Sequence, residues 1–187
     1  ATFGSKAFVA GNPVRPEFFS TAASERAADG RTRVLVFGGA QGAHAINVVM
    51  SEGAAALAAA SPRVEVTHQT GERDLSMVRE AYAAAGLASR VEPFLYEMDR
   101  EMRAADVIVC RSGATTLGEL TAGGRTAILI PLPTATDDHQ RKNADALVRQ
   151  GAARVIDQRE LTGARIADEV VALGRDAGAR DRVAAEA

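Results

Sequence analysis

From about residue 33 to residue 173 the chain alternates short apolar runs with stretches of helical periodicity. Val34-Leu-Val-Phe37 is the first uninterrupted apolar run. It leads into Gly38-Gly-Ala-Gln-Gly42 and then an Ala-rich segment that predicts a helix to about residue 60. Val64 to Thr67 predicts a second strand, and Leu75 to Ala85 a helix stopped by Gly86. Arg90 to Phe94 predicts a third strand, near a sheet edge because Pro93 has no N–H to give a neighbour. Tyr96 to Ala105 predicts a short helix, Val107 to Cys110 a fourth strand and Ala127 to Ile130 a fifth. Pro131 and Pro133 open a loop that reaches His139, ahead of a helix over about Gln140 to Gln150. Ala153 to Ile156 predicts a sixth strand and Leu161 to Leu173 a last helix. Strands that are apolar throughout, separated by helices, form a parallel sheet covered on both faces. The expected class is therefore a doubly wound α/β sheet, whose ligands bind beyond the carboxyl ends of the strands.

The first thirty residues break this rhythm. Phe8 to Arg15 reads as a short strand running into a turn, and Ser20 to Gly30 as a polar connector. The expected division is a linker over residues 1–30 and an α/β domain over 31–187.

Composition narrows the function classes. At 187 residues and 47% hydrophobic, the chain can bury one sizeable core. A net charge of −2 gives no basic field for nucleic acid. Cys110, the single cysteine, cannot form an internal disulfide, which suits a reducing compartment, and it reads as a small hydrophobe at a strand end. No apolar run approaches the roughly 18 residues that would span a membrane. The chain opens on Ala1 without a signal peptide, which reads as a boundary or cleavage point within a longer protein.

Candidate chemistry gathers where strands end. Arg111-Ser-Gly-Ala-Thr-Thr-Leu-Gly-Glu119 follows the fourth strand. Ser112, Gly113 and Ala114 are small enough for a ligand to approach the backbone. A helix starting near Thr115 offers unpaired N–H groups and the positive end of its dipole, which suits a phosphate. Glu119, one turn further, could accept hydrogen bonds from a ribose. The Gly38–Gly42 loop, with Gly39, Ala40 and Gln41 at its tip, lacks the G-x-G-x-x-G order of a dinucleotide fingerprint. In Phe94-Leu-Tyr-Glu-Met98 the expected role of Phe94 and Met98 is core packing. Asp137-Asp-His-Gln-Arg-Lys-Asn-Ala144 is dense in hydrogen-bonding groups. Either aspartate could cap the helix, while His139 and Gln140 become sugar contacts if the other loops converge. His44, His68 and His139 are too far apart in sequence to suggest a metal site, and no G-x-S-x-G elbow supports a serine hydrolase.

Gly11-Asn-Pro-Val-Arg15, Gly38–Gly42, His68-Gln-Thr-Gly71, Phe94–Met98, Arg111–Glu119 and Asp138–Ala144, taken in order, resemble the carboxyl-terminal half of the MurG family of bacterial glycosyltransferases. The resemblance covers nearly the whole chain. It implies a Rossmann-like sheet forming one half of a two-domain GT-B enzyme. That enzyme moves N-acetylglucosamine from UDP-N-acetylglucosamine to a lipid-linked muramyl-pentapeptide during peptidoglycan synthesis. It further implies that Glu119 binds the ribose, that Leu95 meets the uracil edge through its backbone and that Arg15 lies near the nucleotide. Ala114, Thr115 and the helix start would face the diphosphate, and His139 and Gln140 the sugar. The family often has Ser where this chain has Ala40, so a hydroxyl contact to phosphate would be lost there.

No cofactor or metal is implied. The partners implied are the donor, an amino-terminal domain that carries the acceptor site, and the lipid-linked acceptor held through it. The chain ends before the final helix of the resembled family, and no residue in it is a credible general base. Donor binding without efficient turnover is the expectation, in a cytoplasmic protein whose parent enzyme is peripheral on the inner membrane. Two alternatives stand beside it: a separate nucleotide-sugar-binding subunit of a split transferase, and a plain nucleotide-binding α/β domain without catalysis.

Overall fold

A computed structural model describes residues 12–19, 30–135, 138–151, 153–175 and 178. Its centre is one sheet of six parallel strands, β1 (Arg31–Phe37), β2 (Arg63–Gln69), β3 (Ala88–Glu92), β4 (Val107–Cys110), β5 (Ala127–Leu129) and β6 (Arg154–Val155), in the order β3-β2-β1-β4-β5-β6. The connecting helices are α1 (His44–Glu52), α2 (Ala54–Ala58), α3 (Leu75–Ala84), α4 (Met98–Ala104), α5 (Ala114–Ala122), α6 (His139–Arg149) and α7 (Gly163–Arg175). Pro16–Phe19 and Gln158–Glu160 form short 3-10 turns.

Strand alternation builds two cores. Val34 and Val36 of β1, with Val107 and Val109 of β4, face a layer closed by Ile46, Met50, Leu57, Val78, Ile166 and Val170. Leu35, Phe37, Ile108, Cys110 and Leu129 point the opposite way, onto Phe18, Met102, Leu117, Leu120 and Leu147. Each fully buried aliphatic side chain contributes about 1.5–3 kcal/mol against exposure, so both faces are strongly specified. β2 is the exception. Val64 and Val66 enter the first core, but Glu65, Thr67 and Gln69 alternate with them on the other face. Glu65 and Thr67 line a cleft of about 180 Å³ beside Arg33 of β1 and Glu101 of α4.

The sheet accords with the expected class, and Pro93 does follow an edge strand. Some local expectations are corrected. The single helix to residue 60 is two, broken at Gly53, where an added Cβ would lie 2.6 Å from the Gly163 carbonyl oxygen. That glycine lets the start of α7 pack directly on the α1–α2 junction. β5 stops at Leu129, although Ile130 still donates to the Cys110 carbonyl. β6 keeps only two residues.

Phe94 is not a core residue: it is 43% exposed and stands edge-on to Tyr96, 5.0 Å between ring centroids. Met98 does pack partly buried against the second core. Asp138 occupies the position before α6 but makes no side-chain cap, because its backbone is left-handed with φ 55°. Residues 8–11 of the expected strand and turn over Phe8 to Arg15, residues 20–29 of the connector over Ser20 to Gly30, and the capping role of Asp137 lie outside the described residues. Within 12–19, Phe18 is buried in the second core, and an added Cβ at Gly118 of α5 would come 2.9 Å from Val14 Cγ2.

Candidate nucleotide-sugar site

The strand order reverses between β1 and β4: β2 and β3 continue to one side, β5 and β6 to the other. The loops leaving β1 and β4 therefore diverge to opposite faces, and the crevice between their carboxyl ends is where such sheets bind ligands.

After β1, Gly39, Ala40 and Gln41 are exposed at the tip of a turn closed by a Gly42 N–H to Gly39 carbonyl bond of 3.0 Å. Gly42 has φ +75° and packs face to face with the loop after β2. Its added Cβ would overlap the Thr70 carbonyl, and one on Gly71 would overlap the Gln41 carbonyl. These two glycines are needed for backbone contact between loops. After β4, Ser112 is fully buried while Ala114 and Thr115 are exposed. Gly113 precedes α5 in extended conformation, with nothing within 4 Å of an added Cβ and no side chain capping the helix. The first turn of α5 carries no acidic residue. Its N–H groups and dipole end are thus open to an anion.

One turn along α5, Glu119 is 9% exposed. Its Oε1 accepts from Arg15 Nη2 at 3.3 Å, and the Arg15 guanidinium lies 4.7 Å from the centroid of the Phe18 ring. Two candidates 104 residues apart in sequence are thus neighbours. Leu95 is buried, and its N–H donates to Gln69 Oε1 at 2.8 Å. On the far side of the crevice, Arg111 Nη1 donates to the Ile130 carbonyl at 3.0 Å and the Pro131 carbonyl at 3.3 Å. Its partial burial lowers the guanidinium pKa. Ser112 Oγ donates to the Gln140 carbonyl at 2.8 Å, Asn143 Nδ2 donates to the Ser112 carbonyl at 3.3 Å, and Gln140 Oε1 accepts from the Leu132 N–H at 3.0 Å. The two Ser112 bonds weld the loop after β4 to the start of α6, and the Leu132 bond ties α6 to the loop after β5. Ser112 and Gln140 both serve in that weld, while His139 is exposed at the first residue of α6. Burial pushes the Cys110 thiol far above its ordinary range, which leaves it a packing group.

The sequence marks His68-Gln-Thr-Gly71 as a motif, but not the polar layer that Asn47, Asp74 and Tyr82 complete beneath the loops. Asn47, 1% exposed among the buried Ile46, Val49 and Met50 of α1, donates to the Thr70 carbonyl at 2.9 Å and to Asp74 Oδ2 at 2.8 Å. His68 meets Asn47 Oδ1 at 3.1 Å and the Tyr82 hydroxyl at 2.8 Å, and His44 Nδ1 lies 3.0 Å from Asp74 Oδ2. Burial pulls His68 down to about 3, against the opposing pull of the Asp74 charge. Burial alone would raise Asp74, but hydrogen bonds from Asn47 and His44 and the charges of His44 and Arg73 outweigh it and hold the carboxyl below its usual value. An asparagine inside an apolar helical stripe and a polar triplet ending a strand were the available signals.

Residues 33–186 match the family model described as the glycosyltransferase family 28 C-terminal domain. The chain belongs to that family. Among curated relatives, it is 44% identical over 165 residues to the UDP-N-acetylglucosamine–N-acetylmuramyl-(pentapeptide) pyrophosphoryl-undecaprenol N-acetylglucosamine transferase of Syntrophus aciditrophicus, covering 88% of this chain and 46% of that protein. It is 42% identical over 182 residues to the transferase of the same name from Geotalea daltonii, covering 96% and 50%. The chain thus spans about half the length of these relatives. Among solved structures, Acinetobacter baumannii MurG superposes with a TM-score of 0.79 at 29% identity, over 90% of this chain and 49% of that one. The kitacinnamycin glycosyltransferase shares the fold, with a TM-score of 0.65 at 22% identity. This glycosyltransferase family 28 domain therefore has the six-stranded parallel sheet of its GT-B relatives. Among the described residues, no helix is long and apolar enough to cross a membrane.

Proposed function

We propose that this family 28 domain is the donor-binding part of an N-acetylglucosaminyltransferase that takes UDP-N-acetylglucosamine and glycosylates a lipid-linked muramyl-pentapeptide. The observation that carries the reading is the uncapped, acid-free start of α5 beside Gly113, with a mostly buried carboxylate one turn behind it. The diphosphate lies against the N–H groups of Ala114 and Thr115 and the tip of the Gly39–Gln41 loop. The ribose hydroxyls donate to Glu119, which the Arg15 guanidinium, its other partner, holds in place. The uracil N3–H meets the Leu95 carbonyl, since the Leu95 N–H is already given to Gln69. The sugar faces His139 and the amide nitrogen of Gln140, whose Oε1 is engaged by Leu132.

Transfer forms a bond from the acceptor hydroxyl oxygen to the anomeric carbon and breaks the bond from that carbon to the diphosphate. UDP leaves with the electron pair, and the α5 dipole stabilises the growing charge on the leaving oxygen. The acceptor oxygen loses its proton to a base outside this chain. Expressed alone, the domain binds donor without transferring it. Orienting two reactants supplies several kcal/mol of barrier reduction, and only one reactant has a site here. The parent works at the cytoplasmic face of the inner membrane, with its acceptor site in the other half. Calorimetric titration with UDP-N-acetylglucosamine, UDP and ADP tests the reading. Binding of the two uridine ligands in preference to ADP supports it, and equal or absent binding of all three refutes it.

A further inference from the structure

β2 is the middle strand of the three on its side of the sheet, and its last residue sits in register between Phe37 of β1 and Glu92 of β3. That residue is Gln69. His68 before it faces α1 and α3, where Asn47 and Tyr82 hold it, so the pleat sends Gln69 to the opposite face. There the residue is 2% exposed and its amide is engaged at both ends. Nε2 donates to the Gly39 carbonyl at 2.9 Å, and Oε1 accepts the Leu95 N–H at 2.8 Å. Gly39 is the tip of the glycine loop after β1, and Leu95 is in the loop after β3. One side chain therefore spans the gap between two loops that leave different strands.

The chemistry requires an amide. The Gly39 carbonyl needs a donor and the Leu95 N–H an acceptor, and both must come from one group of fixed length. Glutamate supplies only the acceptor, and leucine neither. The strut is itself fixed from below. Thr70, the next residue, is 1% exposed, and its carbonyl accepts from Asn47. Its own N–H donates to the Glu92 carbonyl, and Gly71 donates to the Pro93 carbonyl. A buried amide satisfied at both ends and anchored at its root holds the two loops at one separation.

We infer that Gln69 is a positioning residue that ties the diphosphate loop to the base-reading loop, so that recognition of the base and of the diphosphate are coupled. The inference rests on the donor-site reading above and adds to it a residue that touches no ligand. With the strut gone, the Leu95 carbonyl loses its fixed place relative to Gly39, and the uracil edge is read less strictly.

The test compares UDP with CDP, whose bases differ at the edge the Leu95 carbonyl would meet, by calorimetric titration of the parent, Gln69→Leu and Gln69→Glu, each with a thermal melt. The parent prefers UDP. Gln69→Leu lowers UDP affinity at least tenfold and shrinks the UDP-to-CDP preference at least fivefold. Gln69→Glu, which keeps the acceptor for Leu95, weakens UDP while retaining most of the preference. A folded Gln69→Leu with parental affinity and preference overturns the inference. So does one that loses UDP and CDP by the same factor, since that is the mark of a structural role alone. If Gln69→Leu does not fold, Gln69→Glu decides, and parental UDP affinity in it overturns the inference. A folded parent that binds no UDP overturns the donor-site reading and the coupling with it, whereas a binding parent with unaltered variants overturns only the role of Gln69.

Discussion

Gly113→Ala separates the site from the fold more cleanly than any other substitution. The Gly113 backbone, at φ −67° and ψ 146°, is one that alanine adopts freely, and an added Cβ meets nothing within 4 Å. Losing glycine's freedom in the unfolded chain stabilises by about 0.4–1 kcal/mol. A poorer residue at the helix cap takes back a similar amount, so the melting temperature should hardly move. Binding is another matter. A phosphate oxygen within about 2.9 Å of the α5 amides must come into the space the methyl group would fill. Misaligning one such charge-assisted bond costs about 1.5–3 kcal/mol, or roughly ten- to a hundredfold in affinity.

The assay is calorimetric titration of UDP and UDP-N-acetylglucosamine against parent and variant, with a melt alongside. Parental affinity in Gly113→Ala would show that the diphosphate does not approach this backbone, and the proposed pose would fall. Gly53→Ala is the reverse control. Its Cβ would press on the Gly163 carbonyl 2.6 Å away, far from the crevice, so it should lower the melting temperature.

Other consequences follow from single contacts. Glu119→Ala should weaken UDP and UDP-N-acetylglucosamine alike by about 1.5–3 kcal/mol, and equal affinity of parent and variant would remove the ribose role. His139→Ala should reduce binding of UDP-N-acetylglucosamine more than that of UDP. It is a better probe than Gln140→Ala, which would also release Leu132 from its brace. Gly42→Ala should cost about 2–5 kcal/mol in chemical denaturation, from left-handed strain plus the collision with Thr70. Acid should destabilise the fold through His68. Its folded-state pKa is lowered to about 3, so below about pH 6.5 the unfolded chain takes up a proton that the folded chain refuses. Stability then falls by up to about 1.4 kcal/mol per pH unit toward pH 3. His68→Gln should flatten that slope in denaturation measured from pH 7 to pH 4.

The middle of the sheet was legible because β1, β4 and β5 are buried on both faces, which writes them as uninterrupted apolar runs such as Val107–Cys110. Helix ends were less so. The break at Gly53 comes from the approach of Gly163, a contact made across 110 residues of chain, and no local propensity announces it. Phe94 was misread for a related reason. Hydrophobicity alone cannot tell a ring that enters the core from one that stands at a loop beside Tyr96. The loops of the site were visible as glycine and small-residue turns after strands, but their bracing was not. The Gln69 strut, the Arg15–Glu119 pair and the layer linking His44, Asp74, Asn47 and His68 are tertiary pairings. In the sequence Arg15, His68, Gln69 and Glu119 stand in separate motifs and His44, Asn47 and Asp74 outside them, and nothing local says which of them meet.

One uridine diphosphate sugar is proposed to bind across the β1–β4 crevice. The most direct test is an amide chemical-shift map of this 19.5 kDa domain titrated with UDP-N-acetylglucosamine. The largest changes should fall on Gly39 to Gln41, Leu95, Gly113 to Thr115 and His139. UDP should reproduce the first three groups while leaving His139 little changed. Shifts concentrated away from the carboxyl ends of the strands, for instance along α2 and α7, would contradict this placement, and so would a spectrum that does not respond to either ligand.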